Sequence, residues 1–345
     1  MKVLILNNAV PFVWGGAEEL AHNLNMRLNA LSGIEAEILR IPFAWEPKER
    51  LAAEILLNRS FSLHNVDRVI ALKFPAYLVP HDQKTIWLLH QFRQAYDLLE
   101  GGQSYLRHGV DDELIDAVVT ADNQCFATAR RVFTNSPVTR DRLKRFNGQS
   151  GEVLYPPLND EELFVGGSYG DYLFAGGRVA RGKRQHLLIE AMRLTDSHCK
   201  LVVAGPVTDK DYADDLISLV EKYDMSSRVL LQLRLHTRAE IASLATGSLA
   251  SAYIPYDEDS LGYVTMEAFA SARAVLTTTD SGGLLEIVRP NQTGWVCKPE
   301  PEQLAGAINS LFADRRGTID MGRSAYSTWT TRGINWSHTL ERLLS

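Results

Sequence analysis

The chain has 345 residues, 45% of them hydrophobic and 23% charged, with a net charge of −6. That length suits two domains better than one core, and the composition is that of an ordinary globular protein. The acidic balance argues against bulk nucleic-acid binding. No window approaches the ~18 uninterrupted apolar residues of a membrane-spanning helix, which leaves only a peripheral membrane contact open. Three widely spaced cysteines, Cys125, Cys199 and Cys297, form no CxxC pair and argue against a disulfide framework.

These thiols read as small buried side chains in a reducing cytoplasm. The start, Met1-Lys-Val-Leu-Ile-Leu-Asn, lacks the long apolar run and the cleavage site of a signal peptide. Residues 3–6 read as a buried parallel strand. Gly15 and Gly16 follow, and Leu20, Leu24, Leu28 and Leu31 then repeat at helical spacing over 17–31. A strand, two glycines and a helix fit either a tight βα turn or a phosphate approach. Further strands are expected at 36–41, 68–72 and 85–89, with His90 standing just after the last. Strand ends of open α/β sheets are where ligands bind, although a lone histidine is more often structural.

The stretch 91–109 has no period and mixes Arg93, Tyr96, Tyr105 and Arg107. It reads first as a solvated loop and short helix. Its aromatics and cations also suit stacking on an acceptor sugar. A helix over 111–130, a strand at 132–136 and a short helix at 139–146 complete the half, with Ser136 read as a cap. Pro156 and Pro157 stop the first domain, and the acidic, Gly/Ser-bearing stretch 161–170 reads as a linker.

The second half repeats the alternation. Strands are expected at 171–175, 200–205, 228–235, 248–254 and 274–277. Helices are expected at 186–192, 211–223, 238–246, 264–272, 303–312 and 329–344. Two doubly wound α/β domains follow. Gly177, Arg178 and Lys183 come straight after the first of these strands. Arg can grip two oxygens at once and Lys adds a mobile point charge, so this is a diphosphate site in composition. A solvated basic turn is the alternative. Arg181 and Arg184 read as extra, solvent-exposed cations.

The most informative stretch is Asp259-Ser260-Leu261-Gly262-Tyr263-Val264, leading to Glu267. A buried strand passes through an acidic glycine loop into a helix, whose first N–H groups and dipole favour an anion. Asp259 and Glu267 bracket the loop. Carboxylates accept hydrogen bonds from hydroxyls, so a phosphate cradle between them suits a sugar nucleotide. This loop also decides against the solvated-turn reading of Arg178 and Lys183.

Asp259 and Glu267, eight positions apart around this loop, resemble the signature of family 4 retaining glycosyltransferases, which have the GT-B fold. Asp259 departs from that pattern, where a glutamate stands, and Ser260 takes the place of the first loop glycine. Gly177-Arg178 with Lys183 resembles the family's cation motif, and Gly15-Gly16-Ala17-Glu18 resembles its opening loop. Asp280-Ser-Gly282-Gly283-Leu-Leu-Glu286 is similar to its Gly-Gly-x-x-Glu element; Glu286 is read as a cap.

The resemblance implies two Rossmann-like domains facing a central cleft. They would cover 1–160 (acceptor) and 161–325 (nucleotide-sugar donor), with 326–345 crossing back as a helix. It implies a retaining hexosyltransferase. Arg178, Lys183 and the N–H groups of Leu261, Gly262, Tyr263 and Val264 would hold the diphosphate. Glu267 would hold the ribose, and Asp259 the sugar. His90 would touch the sugar near the reaction centre. Gly15, Gly16, Gly205 and Arg234 would line the donor site. The acceptor would attack on the face the leaving phosphate departs from, and that phosphate would take the acceptor's proton.

No cofactor or metal is implied; Asp257-Glu258-Asp259 reads as donor loop. The resemblance implies a nucleotide sugar and a glycan or lipid-linked acceptor as co-substrates. It also implies a setting in polysaccharide or lipopolysaccharide assembly, in the cytoplasm or at the inner membrane face. Residues 89–98 are similar to those of some O-antigen mannosyltransferases, which favours GDP-mannose. Alternatives are a degenerate binding homologue, suggested by Asp259, and a GT-B sugar-nucleotide epimerase, for which no catalytic carboxylates are evident in the first domain.

Overall fold

Apolar runs too short for helices, each followed by a helix that brings the chain back, can only build parallel sheets covered on both faces. The computed structural model, which describes all residues 1–345, contains two such sheets. They lie in separate units, Met1–Pro157 with Asn335–Ser345, and Leu158–Ile334.

The first unit holds β1 (Lys2–Ala9), β2 (Glu35–Pro42), β3 (Arg68–Ala71), β4 (Lys84–Leu88), β5 (Arg131–Thr134) and β6 (Glu152–Val153). All pairings are parallel, in the order β2-β1-β3-β4-β5-β6. Ile5 pairs with Ile38 on one side and Ile70 on the other. The order reverses between β1 and β3, and the Gly15–Gly16 turn follows β1. Leu20, Leu24 and Leu28 of the helix Gly16–Asn29 pack on Val3 and Ile5.

The second unit holds β7 (Leu173–Gly176), β8 (Leu201–Ala204), β9 (Val229–Gln232), β10 (Ala250–Ala252), β11 (Val275–Thr278) and β12 (Gly294–Cys297). It is again all parallel, in the order β12-β11-β10-β7-β8-β9. Here the order reverses between β7 and β10. Their carboxyl ends carry the two stretches singled out above, Gly177-Arg178 and the Asp259 loop. Leu173, Val203 and Leu276 form one core with Ile189, Leu216 and Ile308 from the flanking helices. No helix is long and apolar enough to cross a membrane.

Four elements carry no periodic signal in the sequence: the helices Leu51–Arg59 and Arg315–Arg332, and the strands β6 and β12. The single helix expected over 329–344 is instead two. Gly333, at φ +60, ends the helix Arg315–Arg332, and Asn335 caps the helix Trp336–Leu344 by accepting the His338 N–H at 2.9 Å. That last helix belongs to the first unit, where Leu340 and Leu343 join the core around Val3 and Leu24. All three cysteines are free thiols.

Candidate functional site

In the second unit, three glycine turns are pressed together at the ends of β7, β8 and β10. Gly177 has φ +109, and a Cβ there would sit 3.3 Å from Val264 Cγ2. A Cβ on Gly205 would lie 1.9 Å from the Gly177 carbonyl oxygen. Gly262, at φ +73, starts the helix Tyr263–Ala270, and a Cβ on it would come within 2.5 Å of the Tyr253 ring. Only glycine fits these positions. Ser260 accepts the Gly262 N–H on its hydroxyl at 3.2 Å, which curls the loop into the helix start. Leu261 and Val264 are buried beneath it. Asp259 is partly exposed on the rim.

The acidic loop is fastened to the turn after β11. Asp257 and Glu258 donate their N–H groups to the carbonyls of Asp280 and Ser281, at 2.8 and 3.1 Å. Gly283 returns an N–H to the Glu258 carbonyl at 2.7 Å. Any side chain on Gly282 would strike that same carbonyl, 2.3 Å away. Glu286 lies at the end of this turn and accepts from Arg332 at 2.6 Å. It is an ion-pair partner here, where the sequence suggested a cap.

The cations behave differently from one another. Arg178 is exposed and donates to no protein acceptor. Lys183 Nζ donates to the Tyr253 hydroxyl at 2.8 Å and to the Glu258 carboxylate, to which Tyr253 also donates at 2.8 Å. Burial works against the Lys183 ammonium, but the Tyr253 and Glu258 oxygens outweigh it and hold its pKa above the usual lysine value. Burial likewise opposes the Glu258 carboxylate, and Lys183, Tyr253 and Arg178 overcome it, keeping Glu258 ionised to lower pH than a free glutamate.

Arg184, expected in solvent, is a structural clamp with a side chain 12% exposed. It donates to the carbonyls of Ile254 and Pro255, to the Thr278 hydroxyl and to both Asp280 oxygens, all at 2.8–2.9 Å. It thereby ties the end of β10 to the end of β11. Arg181 is exposed and pairs with Asp209 and Asp215.

Glu267 is buried on the helix below the glycine loop and accepts from Arg238 Nη1 at 2.7 Å. The other edge of Arg238 grips Asp160 with two bonds of 2.8 Å. Burial opposes the Arg238 charge, and the two carboxylates outweigh it and raise its pKa. Arg238 is absent from the sequence-based set, yet it carried a signal. It stands in the first turn of the helix Arg238–Thr246, where the dipole disfavours a cation and a carboxylate partner offsets that cost. Tyr253 is the other omission; nothing in its local sequence marks it. Arg234, expected to line the donor site, is 56% exposed and pairs with Glu240 at 2.7 Å.

In the first unit the candidates divide. His90 follows β4 and is partly exposed. Its Nδ1–H donates to the Gln91 carbonyl at 2.8 Å, leaving Nε2 as the acceptor nitrogen. The Gly15 N–H is taken by Glu18 Oε2 at 3.0 Å, and Glu18 Oε1 accepts from Lys73 at 3.0 Å. The Glu18 carboxylate thus reaches back to cap the N–H of Gly15 at the helix start, where a phosphate approach was one reading of the glycines. Ser136 caps the helix Pro137–Asn147.

Tyr96 needs correction as an acceptor residue. It is 3% exposed, and its hydroxyl donates to buried Asp122 at 2.7 Å. Arg93 is committed to Asp97, at 2.8 and 2.6 Å. Tyr105 is half-buried and donates to the Trp45 carbonyl at 2.9 Å. No three His, Cys, Asp or Glu side chains cluster as a metal site would require.

Residues 168–328 match the family model described as glycosyl transferases group 1. Among curated relatives, an uncharacterised glycosyltransferase of Methanocaldococcus jannaschii is 28% identical over 40% of this chain and 35% of its own. The alpha-1,3/1,6-mannosyltransferase of Homo sapiens is 26% identical over 54% of this chain and 49% of its own. The chain thus spans half or less of the length of these relatives. The crystal structure of the Anabaena HepE protein with UDP and glucose superposes with a TM-score of 0.74 at 18% identity, covering 100% of this chain and 98% of that one.

The fold is the GT-B architecture. Over residues 168–328, just under half of the chain, the sequence is similar to the group 1 glycosyltransferases.

Proposed function

We propose that the protein is a retaining hexosyltransferase that moves a sugar from a nucleoside diphosphate to a hydroxyl of a glycan or lipid-linked glycan. The reading rests on one observation. Arg178, Lys183 and the start of the helix Tyr263–Ala270 lie on the loops that follow β7 and β10, the two strands at the switch point, and closely packed glycine turns bring those loop backbones together. A diphosphate is the group such a site suits. Glu267, held by Arg238, is assigned to the ribose, and Asp259 to the sugar. His90 is assigned, on the family resemblance, to a sugar hydroxyl. Mannose carried by GDP is the donor favoured; the mannosyltransferase name of one relative supports the sugar.

The chemistry needs no nucleophilic side chain from the protein. Cations at the diphosphate stabilise the charge that grows as the glycosidic bond breaks. The leaving phosphate oxygen then takes the acceptor proton on the same face of the sugar. Arg178→Ala should lower kcat/KM for the donor about 100-fold, as loss of one preorganised donor does elsewhere. An unchanged kcat/KM in that variant sinks the assignment.

A second reading is favoured by Asp259, which reaches one methylene less far than the family's glutamate: a homologue that binds a sugar nucleotide with little turnover. Asp259→Glu separates the two. A gain in transfer rate supports partial degeneration; a loss supports an active site tuned to aspartate.

A further inference from the structure

Lys183 does not wait for its ligand unpaired. Its ammonium, the Tyr253 hydroxyl and Glu258 Oε2 form a closed ring of hydrogen bonds, with the ammonium also 5.2 Å from the Tyr253 ring centre. Both charged side chains are largely shielded, 18% and 22% exposed. The Glu258 backbone cannot drift, because its N–H and carbonyl are bonded to Ser281 and Gly283 and the Gly282 turn is packed flush against it. The carboxylate at its tip has no such restraint beyond the ring itself.

We propose that Glu258 is a built-in stand-in for the donor phosphate: its carboxylate occupies the anion position on Lys183 and must be displaced for a diphosphate to bind. This deepens the donor-site reading above and rests on it. Charge arithmetic gives the consequence. An incoming monoanion only replaces one unit of negative charge with another, and leaves Glu258 without its partner. A diphosphate brings more charge and can engage exposed Arg178 at the same time. Glu258 therefore selects against singly charged anions and for ligands that carry more than one negative charge and reach both Lys183 and Arg178. Tyr253 keeps the ammonium in place while the anions exchange, since it can donate to either.

The test is calorimetric titration of the full chain with inorganic diphosphate, which reads the phosphate position without nucleoside or sugar. Four proteins are compared: wild type, Glu258→Gln, Lys183→Met and the double variant. Glu258→Gln, close to isosteric, should bind about tenfold tighter than wild type, within the coupling seen between contacting charged residues. The gain should vanish in the Lys183→Met background. Glu258→Asp keeps the charge but draws it back by a methylene, and should gain less than the glutamine variant; it serves in its place if the latter is unstable.

The proposal is overturned if Glu258→Gln binds no tighter than wild type. It is equally overturned if the gain persists without Lys183, which would mark a general effect of net charge. If wild type binds nucleoside diphosphates and only the gain is missing, this proposal alone fails. If no variant binds diphosphate or nucleoside diphosphate, the donor-site reading fails with it.

Discussion

Arg273 carries a guanidinium into the interior of the second unit at 0% exposure with no carboxylate beside it. It donates to the carbonyls of Ser248 and Ser271 at 2.8 Å, Ser168 at 3.2 Å and Thr246, and lies over the Tyr169 ring at 3.9 Å. One side chain thus satisfies carbonyls from three separate stretches of the chain, at 168, 246–248 and 271. Arg273→Met keeps the bulk and abandons the carbonyls. It should cost about 3 kcal/mol or more, since each buried acceptor left unmet costs ~1–3 kcal/mol. The urea midpoint measures it, and a loss below ~1 kcal/mol would contradict the role.

Asp122 is the corresponding case in the first unit, buried and receiving the hydroxyls of Tyr77 and Tyr96 at 2.9 and 2.7 Å. Burial raises its pKa to about 7, against the two hydrogen bonds, which lower it. The folded state therefore keeps a proton that the unfolded chain has already released. Between the ordinary aspartate value and pH 7 the unfolded state binds fewer protons, so stability falls as pH rises through that window and levels off above it. Asp122→Asn mimics the protonated form and should flatten this part of the profile in denaturation measured from pH 4 to 8. A wild-type curve that rises over that range, with no change in the variant, would contradict the reading.

At the scale of elements, strands were the legible part. The runs at β1, β4, β7, β8 and β11 are apolar because both faces of a parallel sheet are covered. The helix Arg315–Arg332 was not legible, because its inward stripe is Thr318, Gly322, Ala325 and Trp329, small or polar residues save one. The reason is a close approach: a Cβ on Gly322 would lie 2.2 Å from the Ala272 carbonyl oxygen at the end of the helix Tyr263–Ala270. Gly322→Val should force the two helices apart and cost ~1–3 kcal/mol, as overpacking does. The urea midpoint again decides, and an unchanged value would show that the helices are not in such contact. The helix Leu51–Arg59 escaped for another reason: Leu56 and Leu57 are exposed, so its apolar residues mark no single face.

At the scale of the molecule, both units use one plan, a six-stranded parallel sheet with a reversal of strand order, and in the second unit the motif-bearing loops follow the two strands at that reversal. Sequence spacing located the loops, because glycines, cations and the Asp259–Glu267 pair are local patterns. It did not reveal which charges are already paired. Lys183 meets Glu258 across 75 residues, and Arg238 meets Asp160 across 78. Such partners come together only through the fold. The same limit misplaced Tyr96, whose partner Asp122 lies 26 residues on.

The most direct test of a donor site in the second unit is calorimetric titration of the full chain with GDP, UDP and ADP, repeated on Arg178→Ala. One nucleotide should bind clearly more tightly than the others, with the preference expected for GDP, and Arg178→Ala should weaken it by at least about tenfold, as loss of a hydrogen bond to a charged group does. Absence of binding for all three, or binding undiminished in the variant, would contradict the account.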